Sequence, residues 1–131
     1  MKISTKGRYA LKIMIDLGIH GTEEYISLKD IAMRQGISMK YLEQIISLLH
    51  KAEFVKSARG NNGGYQLSKK PEEYRIGDIL RAAEGNLSST NCMKEDCERK
   101  NDCYTFMFWK GLDDVIEGYV DSKTLKDLIK K

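Results

Sequence analysis

Proline occurs once in 131 residues, phenylalanine three times and histidine twice. So few of the residues that build sheets and turns, beside abundant Lys, Glu, Leu, Ile and Met, argue for helix and against an all-β sandwich. No apolar run approaches the roughly eighteen residues of a membrane span. Lys6, Arg8, Lys12 and Asp16 interrupt the amino-terminal stretch where a secretory leader would need its apolar segment. The expected location is the cytoplasm. Hydrophobic residues make up 41% of the chain, enough to build a core and too many for wholesale disorder. The length suits one ordinary domain, or a small domain with an appendage.

Charge is unevenly spread. Residues 1–70 hold 12 Lys/Arg against 6 Asp/Glu, whereas residues 71–131 hold 10 against 13. A basic first half suits a polyanionic partner. The three cysteines, Cys92, Cys97 and Cys103, all fall within twelve residues. An odd number in a reducing compartment argues against a disulfide framework, and such clustering argues against three unrelated core thiols.

Periodicity places the elements. Ala10, Ile13, Met14 and Leu17 form one face of a helix over 4–19, ended by Gly18 and Gly21. Ser27 starts a second helix, with Asp30 three residues on, and Gly36 stops it. Ser38 starts a third, striped by Leu42, Ile45, Ile46 and Leu49. The period then shortens. Residues 54–58 and 65–67 are β-type runs around the turn sequence Arg59-Gly60-Asn61-Asn62-Gly63-Gly64, which predicts a hairpin. Ile76, Ile79, Leu80 and Ala83 make a short fourth helix closed by Gly85. A polar loop over 86–102 follows, with Leu87 and Met93 its only strongly apolar side chains besides cysteine. A long helix is expected over 103–120, and a last short one from Asp121 or Ser122.

Two short helices joined by a glycine-containing turn describe a helix-turn-helix, and a hairpin directly after them makes it winged. The second helix of such a unit enters the major groove, its amino-terminal residues at the base edges. Ser38, Met39, Lys40, Tyr41, Glu43 and Gln44 occupy that stretch. Lys40 suits a phosphate, Gln44 an adenine, and Glu43 a cytosine amine, or else Glu43 penalises wrong sites. Arg59 and Gly60 lie at the wing tip, where an arginine can enter a narrow minor groove. Lys6 and Arg8 open the first helix, where cations oppose the helix dipole unless an external polyanion offsets them.

The blocks STKGRYAL (4–11), ISLKDIA (26–32), YLEQI (41–45), GGYQL (63–67) and IGDILRAAEG (76–85) resemble the IscR-type regulators of the Rrf family, bacterial winged helix-turn-helix transcription factors. The resemblance spans nearly the whole chain. It implies a homodimer on a palindromic double-stranded DNA operator, paired through the long helix with Phe108, Leu112, Val115 and Tyr119 at the interface. By the family pattern DNA contacts fall on Ser38, Tyr41, Glu43, Gln44 and Arg59. The family's iron–sulfur members carry three cysteines in this loop, matched here by Cys92, Cys97 and Cys103 as ligands of a 2Fe–2S or 4Fe–4S cluster. Where IscR has a histidine as fourth ligand this chain has Phe106, and where NsrR-like members have an acid it has Arg8. Spacing alone leaves a zinc site and an oxidation-sensing thiol set open, and CymR-type members are regulated without a cluster, through thiols or a protein partner.

The expected architecture is mainly α with a small β-hairpin wing: a winged helix-turn-helix plus a long dimerisation helix. Residues 1–85 would be the DNA-binding domain, 86–102 the cysteine-bearing sensor loop and 103–131 the dimerisation and C-terminal helices. No acid–base pair or nucleophile constellation accompanies the cysteines, so no enzyme is expected.

Overall fold

The computed structural model describes residues 3–90 and 101–129. Helix α1 spans Thr5–His20, α2 Leu28–Gln35 and α3 Met39–Lys51. Strands β1 (Val55–Ala58) and β2 (Gly64–Leu67) follow, then a 3-10 turn at Pro71–Glu73 and α4 at Ile76–Glu84. Beyond the cysteine segment come α5 (Phe106–Ser122) and α6 (Leu125–Ile129). The architecture is mainly α with a two-stranded wing, as the periodicity predicts.

α1 is the centre of the core. Ala10, Ile13, Met14 and Leu17 have no exposed surface, and α2, α3, α4, β2 and α6 all pack around this helix. The helix-turn-helix closes by the chemistry its sequence announces. Ser27 Oγ accepts from the Asp30 N–H at 3.2 Å, and Ser38 Oγ accepts from the Tyr41 N–H at 3.3 Å. Each hydroxyl satisfies a donor that the first helical turn leaves free. Gly36 caps α2 in the left-handed conformation, φ 64°. A Cβ there would meet nothing within 4 Å, so glycine is used for its backbone freedom and not for space.

The hairpin is antiparallel, with Val55 opposite Leu67 and Ala58 opposite Gly64. Ile26 adds a bridge to Tyr65, exchanging bonds of 2.9 and 2.8 Å, and so ties the wing to the start of the helix-turn-helix. Gly64 permits that approach, since a side chain there would strike the Ile26 carbonyl. Tyr74, buried at the hairpin base, donates its hydroxyl to the Phe54 carbonyl at 2.7 Å.

Three boundaries differ from the sequence reading. The long helix begins at Phe106, leaving Cys103 outside it, and it runs through Asp121 and Ser122, which were expected to open the last helix. The chain breaks at Lys123, which is extended, because the Ile76 N–H donates to the Lys123 carbonyl and the Leu125 N–H to the Tyr74 carbonyl. That cross-chain pairing has no local signature. Leu87, assigned to the polar loop, is buried in the core cluster.

Among the described residues one charged side chain, Asp16, is buried. Asp16 is 2% exposed and accepts from Arg34 Nε at 2.9 Å, Arg34 Nη2 at 2.7 Å and Gln35 Nε2 at 2.9 Å. Burial alone pushes this carboxyl up; the Arg34 and Gln35 hydrogen bonds and the Arg34 charge outweigh it and hold Asp16 below its usual range. A depressed carboxylate contributes stability above its unfolded pKa of about 3.9, and this is lost as pH falls through the folded value. Asp16→Asn should therefore cost about 1–3 kcal/mol at pH 7, because it weakens charge-assisted hydrogen bonds while the Arg34 left behind can turn to water. Urea unfolding from pH 7 down to pH 3 should show the wild type losing this advantage below about pH 4, with the two proteins converging.

Candidate nucleic-acid interface and cysteine segment

α3 divides cleanly into two faces. Leu42, Ile45, Ile46 and Leu49 are buried, while Ser38, Met39, Lys40, Glu43 and Gln44 are exposed. The inner face anchors the helix, and so the outer one is presented on a rigid support. Tyr41 is half-buried between them. Its ring meets that of Tyr9 edge-to-face, with centroids 5.9 Å apart, and this locks the start of α3 to α1.

Lys6 and Arg8 are exposed at the amino end of α1, and Lys6 shares a shallow cleft with Tyr41 of α3. Arg8 Nη2 donates to Thr5 Oγ1 at 3.3 Å, which leaves its other donors pointing to solvent. At the wing, Arg59 and Gly60 are both exposed. Gly60 has φ 106°, and its carbonyl accepts from the Gly63 N–H at 3.0 Å, closing the turn. Arg59 forms no ion pair among the described residues, so its charge is available to an external anion.

Glu84 is a residue that the sequence reading passed over. It is the last residue of α4, where a carboxylate opposes its own helix dipole. Its Oε1 accepts from the Ser4 N–H and the Gly7 N–H, each at 3.0 Å, and from the Ser4 hydroxyl. It thus caps α1 from across the fold. Gly7 makes room for it, because a Cβ there would collide with the carboxylate. An acid at the wrong end of its own helix was the available signal.

Of the cysteines, Cys92 and Cys97 lie outside the described residues. Cys103 is exposed, its Sγ 3.2 Å from Thr105 Oγ1. The hydrogen bonds offered by Thr105, side chain first, and by the Phe106 backbone hold its thiol below the usual range. Among the described residues no group of three His, Cys, Asp or Glu side chains is placed to hold a metal. Neither histidine belongs with Cys103: His20 ends α1, and His50 packs its ring on Tyr65. On the near side of the segment, the Ser89 N–H donates to Asp113 on α5 at 2.8 Å.

α5 has no buried residue. Phe108, Val115 and Tyr119 are each about two-thirds exposed and Leu112 about one-third, in one stripe at i, i+4, i+7, i+11. Met107 and Tyr104 extend the apolar surface, and Trp109 is half-covered by the Phe108 ring at 5.0 Å.

A family model named Rrf2 and described as an iron-dependent transcriptional regulator matches residues 3–131. The HTH-type transcriptional regulator IscR of Aliivibrio salmonicida is 41% identical over 130 residues, covering 98% of this chain and 77% of that protein. Among solved structures, CymR of B. subtilis, described as the global cysteine regulator, superposes with a TM-score of 0.80 at 42% identity, covering 99% of this chain and 97% of that one. IscR of T. potens gives 0.78 at 40% identity, covering 99% and 87%. These relatives are regulators and not enzymes, and no described helix is long and apolar enough to cross a membrane. The chain belongs to the Rrf2 family of winged-helix transcriptional regulators.

Proposed function

We propose that this regulator acts in the cytoplasm as a homodimer on a two-fold operator, and that Cys92, Cys97 and Cys103 hold an iron–sulfur cluster whose presence alters DNA binding. The observation that carries the cluster reading is three thiols within twelve residues, on the segment joining the DNA-binding unit to α5. Cys103, exposed and with a thiol shifted toward thiolate, is chemically suited to a metal. When bound, an iron–sulfur cluster would supply metal–thiolate bonds joining the three cysteines. The chain supplies the connections outward. Glu84 joins one end of the segment to the amino end of α1, and Ser89 joins it to Asp113 of α5.

On DNA, α3 lies in the major groove with Ser38, Met39, Lys40, Tyr41, Glu43 and Gln44 facing it, and Arg59 with Gly60 reaches the minor groove. Lys6 and Arg8 flank the phosphates beside the start of α3. The stripe Phe108, Leu112, Val115 and Tyr119 pairs with its copy in the partner. An exposed apolar band of this length is best covered by a second, identical band.

A cluster-free reading has one observation in its favour. Cys103 is an accessible thiol of lowered pKa, and the solved neighbours include CymR of Staphylococcus aureus described in an oxidized form. Thiol oxidation or a protein partner would then replace the cluster as the signal.

Anaerobic purification separates the two. The cluster reading expects brown protein with iron and sulfide, colourless after Cys92→Ser or Cys97→Ser. Colourless wild-type protein without sulfide, whose operator affinity follows thiol oxidation, would establish the alternative. Arg59→Ala should weaken operator binding by about 1–3 kcal/mol, measured by anisotropy. Glu43→Ala should instead broaden the accepted sequences, and an equal loss on all sites would refute its selective role. Val115→Glu should weaken the dimer in sedimentation at micromolar concentration; a wild type that sediments there as a monomer would remove the pairing.

A further inference from the structure

We propose that Arg81 is a positioning residue that sets the half-site spacing this regulator accepts. This rests on the reading of the chain as a dimer on a two-fold operator.

Arg81 lies in α4, within the DNA-binding unit, and reaches across to α5. Its Nη2 donates to Asp121 at 2.9 and 2.8 Å and to Glu117, while Nη1 donates to Asp78 at 3.1 Å. Glu117 and Asp121 are four residues apart on α5 and so share one face. Gly77, one turn before Arg81, makes the approach close; a side chain there would overlap the Asp121 carboxylate.

Toward its amino end, the polar tie of α5 to another part of the fold among the described residues is the Ser89 N–H to Asp113. α5 has no buried residue, and only Ile116 and Val120 of this helix pack partly on the core. Its carboxyl end is pinned by the paired backbone at Lys123 and Leu125 and by the fully buried Leu125. This leaves a lever with a fixed pivot, and Arg81 Nη2 engages it within two turns of that pivot. From Lys123 to Phe108 the lever is about 23 Å long, so a tilt of about 10° moves its free end by about 4 Å. That is close to the rise of one base pair, about 3.4 Å. Since the apolar stripe lies along the same helix, the tilt of α5 determines how far apart two α3 helices stand. A planar guanidinium held at Nη1 by Asp78 and at Nη2 by the two α5 carboxylates fixes a direction in a way that a flexible ammonium cannot.

The test uses the full chain. Wild-type protein selects duplexes from a randomised pool, and the selected site is then rebuilt with its half-sites moved by one and two base pairs, and as a single half-site. The wild type should lose about tenfold in affinity for each base pair of displacement, and Arg81→Met less than about threefold, with Arg81→Lys between them. Affinity for the single half-site and the dimerisation constant should stay unchanged, which a general structural defect would not allow. If Arg81→Met fails to fold, Glu117→Gln, whose side chain is partly exposed, should flatten the profile in the same direction. A spacing profile identical to wild type in a folded variant would overturn the role of Arg81. Failure of the wild type to select any duplex would instead overturn the operator reading, and the positioning role with it.

Discussion

Burial of α1 is the constraint on which the other elements depend. A helix against which five other elements pack must present apolar residues at those contacts and satisfy any polar one. Ala10, Ile13, Met14 and Leu17 meet the first demand and Asp16 the second, through Arg34 and Gln35. Once α1 is fixed, α2 and α3 have a floor to pack on, and the hairpin is registered through Ile26 and Tyr65. The position of α3 follows from packing within the fold alone. Its outer face is therefore free to be polar, which a less anchored helix of thirteen residues could not easily sustain.

What could be read from the chain were the features whose causes are local. Ser27 and Ser38 are caps because a hydroxyl beside a helix start satisfies its own neighbours. Gly36 is left-handed because its conformation is set within two residues of itself. The wing turn is written in consecutive glycines and asparagines. The start of α5 at Phe106 and its end at Ser122 were misplaced because the second is imposed by Tyr74 and Ile76, some fifty residues away. Leu87 was read as part of a polar loop because periodicity says nothing about a single apolar residue. The DNA-facing candidates lie where a helix-turn-helix pattern puts them, on α3 and the wing, whereas Cys92 and Cys97 lie outside the described residues and their arrangement with Cys103 rests on spacing.

Glu84 and Arg81 share a further reason for being missed. Each is an ordinary solvent-type residue on α4, and the sequence resemblance absorbed both within one block. Their roles depend on groups about eighty and forty residues away, at Ser4 and Gly7 and at Glu117 and Asp121. The glycines opposite them carry the complementary information. Gly7 and Gly77 sit in the first turns of α1 and α4, where a glycine is a weaker helix former than alanine. Such a cost within a helix points to a close approach by something else, and in both cases that is a carboxylate.

The charged links between elements differ in burial, and this decides what each can do. Asp16 with Arg34 lies within the winged-helix unit, and the loss of Arg34 would strand the buried Asp16 carboxylate, so this pair holds the unit rigid. Glu84 at the amino end of α1 and Arg81 at α5 lie nearer to water and at the joints, one toward the cysteine segment and one toward the lever of α5. Part-exposed pairs contribute little to global stability, since solvent screens them and their long side chains lose entropy. They direct geometry cheaply and yield when a competing ligand or a displaced neighbour offers a comparable interaction. The charge that is buried thus stiffens the winged-helix unit, and the half-exposed pairs leave its joints to α5 and to the cysteine segment more compliant, with the same chemistry.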